Sequence, residues 1–162
     1  IILYNNTVPL LLDSEIKTHF ELASNSVRKR SPKILHKKGD YFNQVFNFIL
    51  EDSYMRPHLH PGKEKIEKMY LIKGSFALVL FDEKGRITKS TILEEGKRES
   101  IEVPAFKWHT YIMLSDKVII YETMEGIYEP TSWKNLANWA PEELSTNSAL
   151  YFDKLKEQIK DY

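Results

Sequence analysis

Between Tyr41 and Met124 the chain breaks into short runs rich in Val, Ile, Phe, Tyr and Thr, punctuated by Gly62, Gly74, Gly85, Gly96 and Pro104. Runs of this length are strands, and turn residues so closely spaced leave no room for crossover helices between them. Successive strands must then pair antiparallel. The clearest hairpin is Ser75 to Glu94, where Phe81-Asp82-Glu83-Lys84-Gly85-Arg86 turns the chain between an apolar run and the strand Ile87 to Leu93. Some seven to nine strands are expected, a count that suits a barrel or a sandwich. The sequence has no internal repeat.

Helical periodicity flanks this region. From Asp13 to Arg30, the residues Ile16, Phe20, Ala23 and Val27 recur at helical spacing, Asp13 or Ser14 is available as N-cap, and Arg28 to Arg30 lie near the end, before Ser31 and Pro32. Beyond Gly126 the chain is irregular, with Tyr128, Pro130, Trp133, Trp139 and Pro141, and then predicts a helix capped by Ser148 with a Tyr151, Leu155, Ile159 stripe. Trp133 and Trp139 read as apolar covers for a barrel end. The expected layout is one domain over residues 1–162, with a helix at about 13–30, a barrel at about 34–125 and a tail with a helix at 126–162.

Lys plus Arg equal Asp plus Glu at 23 each, so no net field draws the chain to nucleic acid or to an anionic membrane. Small neutral or mixed-charge ligands remain open. Cysteine is absent, which removes thiolate metal sites and cysteine nucleophiles and leaves any metal to imidazole and carboxylate. The longest apolar stretches, around Val8 to Leu12 and Val118 to Tyr121, are too short to span a bilayer, and the expected location is the cytoplasm.

Three of the five histidines fall in two short motifs of the β region. In Tyr54-Met55-Arg56-Pro57-His58-Leu59-His60-Pro61, the two imidazoles are two residues apart, so a strand projects both from one face. Glu67 follows after a loop containing Gly62 and opens the run Lys68 to Lys73, where its carboxylate can turn toward the same point. Val103-Pro104-Ala105-Phe106-Lys107-Trp108-His109 then sets a third histidine at the start of another strand. Three imidazoles and one carboxylate, His58, His60, His109 and Glu67, suit one divalent ion such as Zn, Fe, Mn, Ni or Co.

His58-x-His60, Glu67 followed after six residues by Gly74, and Pro104-x4-His109 resemble the two motifs of the cupin superfamily. Within it, Met55 to Pro61, Leu80-Phe81-Asp82-x-x-Gly85-Arg86, Trp108-His109-Thr110 and Asn138-Trp139-Ala140-Pro141 are similar to the WbuC family of cupin-fold metalloproteins, over roughly the first helix to Pro141. The resemblance implies an all-β cupin (double-stranded β-helix, jelly-roll) barrel with flanking helices, a divalent metal and a homodimer. Genes of that family lie among those for surface polysaccharide and deoxysugar synthesis, which implies a sugar or nucleotide-sugar ligand. The loop from His60 to Glu67 is about two residues longer than the usual spacing, which makes Glu64 a rival ligand, although Glu67 keeps register with Gly74. Phe106 stands where the second motif usually has glycine, and Met113 where many cupins have asparagine.

Strand alternation carries Tyr54 and Arg56 inward with His58 and His60, and Tyr111 and Met113 inward with His109. Arg56 could grip a carboxylate or phosphate, or pair with a barrel carboxylate; Tyr111 could donate to a metal-bound oxygen or fill space. These two are the candidate catalytic residues. His36 reads as structural, His19 carries no functional signal, and Glu122 is a candidate base whose strand parity the sequence leaves open. The functions in play are a Lewis-acid isomerase or dioxygenase, a non-catalytic ligand-binding module, and a barrel with a structural metal. Exposed strands such as Asn43 to Leu50 are expected as dimer-pairing edges.

Overall fold

The computed structural model describes residues 8–162. Two helices and ten strands follow in the order α1 (Asp13–Asn25), β1 (Arg30–Ile34), β2 (Phe42–Leu50), β3 (His58–Leu59), β4 (Glu67–Lys73), β5 (Ser75–Phe81), β6 (Ile87–Glu94), β7 (Ser100–Val103), β8 (His109–Met113), β9 (Lys117–Glu125), β10 (Asn135–Leu136) and α2 (Ser148–Gln158). They form two five-stranded antiparallel sheets, β1-β2-β9-β4-β7 and β10-β3-β8-β5-β6. The sheets pack face to face through Ile49, Met69, Leu71, Val103, Val118 and Ile120 of the first and Phe76, Leu78, Leu93, Tyr111 and Met113 of the second. This is a jelly-roll core.

Each sheet also buries its outer face, which is why the strand residues read as near-continuous apolar runs. Phe20 and Leu11 of the α1 region cover Phe46, Phe48, Ile119 and Tyr121. Phe152 and Leu155 of α2 cover Val79, Phe81, Ile87 and Ile112, with Tyr151, Ile159, Trp108 and Trp139 packed around them. Each such apolar side chain contributes roughly 1.5–3 kcal/mol. His19 belongs to this packing, stacked on Phe48 at 4.7 Å and hydrogen-bonded to Ser31 Oγ. His36 is likewise structural, its Nδ1 accepting the Gln44 N–H at 3.0 Å.

Several local expectations need correction. α1 stops at Asn25 rather than near residue 30, because Ser26 is already extended and Arg30 begins β1; Val27 lies beyond the helix and is 71 % exposed. Its N-cap is Leu12, whose N–H is accepted by the Glu15 carboxylate, not Asp13 or Ser14. β2 (Phe42–Leu50) lies between β1 and β9 and has no free edge. The pairing expected of Asn43 to Leu50 is therefore taken by β1, whose Pro32 is tolerated because β1 is itself an edge.

Beyond the two-residue pairing of β10 with β3, the tail between β9 and α2 is held mainly by side chains. Arg30 Nη2 and Arg28 Nε reach Glu143 at 2.7 and 2.8 Å, Tyr54 donates its hydroxyl to Pro141 O, and Ala137 N–H donates to Pro57 O. Trp139 covers the outer face of the second sheet beside Phe81 and Trp108.

Gly74 joins β4 to β5 at φ +86°, and a Cβ there would lie 2.5 Å from Lys117 O as well as against Ser115 Oγ. Gly74→Ala should therefore destabilise the chain by about 2 kcal/mol or more, from left-handed strain plus the backbone clash. Urea unfolding of the two proteins measures it, and equal midpoints would contradict this account of the turn.

Candidate metal centre

Pro57 and Pro61 bracket a strand too short to pair far, so β3 contributes little more than His58, with His60 just beyond it. His58 faces His109 directly across the β3–β8 ladder, with ring centroids 4.5 Å apart. The turn before His109 is fixed to the first motif by Phe106 N–H, which donates to His60 O at 3.0 Å. Phe106 takes φ +60°, the left-handed conformation that glycine would adopt there, and leaves its ring 56 % exposed. The turn is thus retained without the glycine. Glu67 opens β4 with its side chain on the face shared with Met69 and Leu71.

His58, His60, Glu67 and His109 are all buried, and one ligand atom from each lies within 4.8 Å of the others. Glu67 Oε2 is 3.0 Å from His109 Nε2 and 3.4 Å from His60 Nε2. The other ring nitrogens are all spoken for. His58 Nδ1 meets Arg56 O at 3.0 Å, His60 Nδ1 meets Trp133 O at 3.0 Å, and His109 Nδ1 meets Lys107 O at 2.8 Å. A carbonyl oxygen only accepts, so this network assigns the ring proton to each Nδ1 and leaves each Nε2 as a lone pair aimed at the centre. Three lone pairs and a carboxylate oxygen, with no donor among them, call for a cation.

The electrostatics agree. Burial, with His109 and His60 next, holds His58 well below the usual imidazole value and keeps it neutral. Burial alone would push Glu67 up, but its contacts with His109 Nε2 and His60 Nε2, where a proton can stand in for a cation, outweigh it and hold the carboxyl well below its ordinary range. Neutral imidazole and ionised carboxylate are the forms that ligate metals.

Of the two remaining candidates, Tyr111 lies inside the barrel, buried against Phe76 and the inner core. Burial raises its hydroxyl well above the usual range, so it is a neutral phenol. Arg56 is turned elsewhere: its Nε donates to Ala137 O at 2.9 Å and its Nη1 lies 3.9 Å from Glu142 on the tail. Tyr54 packs in the outer cluster beneath α2, not inward. Both depart from strand alternation because residues 54–57 are not strand; β3 begins only at His58. Glu64 is exposed beside Gly62 and Gly126, away from the histidines. Met113 joins the inner core.

Glu122 was the residue whose direction the sequence left open. It pairs with Val45 on one side and Met69 on the other, which puts it on the inner face, two residues along from Glu67. Asn47 Nδ2 donates to its Oε2 at 2.7 Å. Burial first, and then the charge of Glu67, pushes its carboxyl well above the usual value. Trp133 also proves closer to the site than a barrel cover: its carbonyl fixes His60, and its ring lies 6.1 Å from that imidazole. A backbone carbonyl on an irregular segment leaves no mark in a sequence.

Residues 11–93, just over half of the chain, match the sequence pattern of the family described as "Domain of unknown function (DUF6016)". No curated protein matches the sequence. Among solved structures the chain is similar to CapF from Staphylococcus aureus, a capsular polysaccharide assembling protein, with TM-score 0.56 and 16 % identity over 65 % of this chain and 31 % of that one. It is also similar to the oxalate decarboxylase of Lactobacillus farciminis, with TM-score 0.54 and 15 % identity over 82 % and 39 % of the two chains. Protein SO0799 of Shewanella oneidensis matches at TM-score 0.52 and 13 % identity, over 81 % and 80 %. The chain spans about a third of CapF and two fifths of the decarboxylase, and at these identities the likeness is one of fold. The fold is that of the cupins, and the chain belongs to the family described as "Domain of unknown function (DUF6016)".

Proposed function

We propose that this chain is a divalent-metal protein of the WbuC type that binds a sugar-derived small molecule at its metal. The observation that carries the reading is the set of four acceptor atoms, three Nε2 and one Glu67 oxygen, that converge with no proton donor among them. His58, His60, Glu67 and His109 would hold the ion. Nitrogen and oxygen ligands without thiolate suit Fe, Mn, Ni, Zn or Co. The bound ion would act as a Lewis acid on a carbonyl or hydroxyl oxygen of the ligand. Tyr111 supplies a neutral hydroxyl on the same inner face, while Arg56 serves to hold the tail. The sugar class is supported by the resemblance to the WbuC family and by the fold shared with a capsular polysaccharide assembling protein. A homodimer belongs to the same reading, paired through one of the sheet-edge strands such as β6; sedimentation as a monomer would remove it.

His58→Ala and His109→Ala should each abolish stoichiometric metal, and Glu67→Ala should weaken it by about 10–100-fold, whereas His36→Ala and Glu64→Ala should leave it intact. Elemental analysis after dialysis against a weak chelator decides, and full metal in the first two variants would defeat the proposal.

The depressed His58 value has a pH consequence in the metal-free protein. The unfolded chain takes up a proton near 6.5 and the folded one does not, so the unfolded state binds more protons below that pH. Stability is then fully present above about pH 6.5 and lost as pH falls, with Glu67 adding its own loss below about 4.5. Urea unfolding of the chelator-treated protein should show the decline beginning near pH 6.5, and His58→Gln should flatten it. An unchanged slope in that variant would contradict the assignment of a neutral, buried His58.

A further inference from the structure

The inner face of β2 and β9 departs from the normal burial pattern of a strand pair. Its outward residues, Phe46, Phe48, Ile119 and Tyr121, are fully buried beneath α1, whereas the inward residues Val45, Asn47 and Glu122 keep accessible surface. Surface on the inner side of a sandwich means open space between the sheets. Farther along the same face, Ile49, Val118 and Ile120 are fully buried, so that space is confined to the end where Glu67 and the histidines lie.

Two polar atoms on this face are buried without a partner, Asn43 Oδ1 and Glu122 Oε1. The orientation of the Asn43 amide is fixed, since its Nδ2 donates to Met124 O at 3.1 Å and to Gly126 O at 2.5 Å. Oδ1 is therefore an acceptor lacking a donor. Asn43 pairs with Met124 and Glu122 with Val45, so the two orphans are diagonal neighbours on one face, about 7–8 Å apart between their backbones. On the β4 side, Glu122 pairs with Met69, which makes it the diagonal neighbour of Glu67. Because Asn47 donates to Glu122 Oε2, Oε1 is the carboxyl oxygen left for a ligand, an acceptor in either charge state and a donor when it carries the acid proton.

We propose that Asn43 and Glu122, with Asn47 positioning Glu122, form a recognition wall beside the metal centre that takes the hydroxyl groups of a neutral, polyhydroxylated ligand. A hydroxyl donates to Asn43 Oδ1 and can either donate to or accept from Glu122 Oε1. A carboxylate or phosphate offers acceptors alone, so it leaves Asn43 Oδ1 unsatisfied and sets like charge near Glu67. The wall thus selects for the neutral sugar portion of a ligand and against an anionic group in the same place. This deepens the sugar-ligand reading and rests on it for the ligand's class, but it does not require the metal.

The test uses xylitol, D-xylose and D-xylonate as probes, with calorimetric titration of the cobalt-loaded and the chelator-treated protein. Xylitol and D-xylose should bind, and D-xylonate should bind at least about tenfold more weakly in the chelator-treated protein, where no ion competes for its carboxylate. Glu122→Leu should lose about tenfold or more in affinity for xylitol with cobalt stoichiometry unchanged, while Glu122→Gln should stay within about threefold of the parent. Asn47→Ala, which frees Glu122 without altering it, should fall between them and serves should the leucine variant fail to fold. Xylitol affinity unmoved by Glu122→Leu or by Asn47→Ala, preferred binding of D-xylonate to the chelator-treated protein, or no binding of the neutral probes to the parent would each overturn the wall. A parent that takes up no cobalt yet binds xylitol in a Glu122-dependent way would keep the wall and remove the metal.

Discussion

Three hydrogen bonds from imidazole Nδ1 to backbone carbonyls govern this molecule's chemistry. Arg56 O, Trp133 O and Lys107 O each hold one ring in a single tautomer and orientation. Those carbonyls come from the approach to β3, from the tail and from the turn before β8. A side chain held by backbone cannot swing away without opening a loop, so the aim of each Nε2 is as rigid as the fold itself. The cluster is preorganised: one ligand is already neutral, another already ionised, and their mutual repulsion is paid out of the packing of the two sheets. An ion entering such a site would have little to rearrange.

The two helices make this arrangement affordable by covering the outside of the sheets. In a sandwich exposed on both outer faces, the inner face must carry all of the apolar burial. Here α1 and α2 supply two further clusters, so one end of the interior can be given over to histidine, carboxylate and amide. Val45, Asn47 and Glu122 keep surface inside the barrel while Phe46, Phe48 and Tyr121 are sealed outside it. Incomplete packing at this end is tolerated because the rest of the sheet is packed on both sides.

What the sequence made legible follows from periodicity. The Ser75–Glu94 hairpin, the helices and the spacing of His58, His60, Glu67 and His109 are local patterns, and local patterns survive folding. The failures lie where the chain leaves regular structure. Arg56 and Tyr54 were assigned by alternation to a strand that begins two residues after Arg56, so both parities were lost. Asn43 to Leu50 looked like an edge because pairing partners far off in sequence, Arg30–Ile34 and Lys117–Glu125, cannot be read from the strand itself. Glu122 had ambiguous parity for a related reason: β9 is apolar on both faces, and a run buried on both sides loses the alternation that would orient it. Asn43 and Asn47 carried no signal at all, since a strand asparagine is ordinary until its neighbours are known.

The tail shows how irregular chain can be integral to a site built on sheets. Residues 126–147 make only the two-residue strand β10, yet they supply the carbonyl that orients His60 and the Trp133 ring beside it. They are anchored from many directions, by Arg28 and Arg30 on Glu143, Arg56 on Ala137, Tyr54 on Pro141 and Lys65 Nζ on Ser132 O. Two of these anchors, Tyr54 and Arg56, come from the chain just before the first histidine motif, so the segment that presents His58 and His60 also fastens the segment that fixes His60. Removing an anchor such as Arg56 would then loosen His60 without touching any ligand. In this fold Arg56 bears on the histidine cluster through the tail's position, which is a different use of its guanidinium from gripping a substrate.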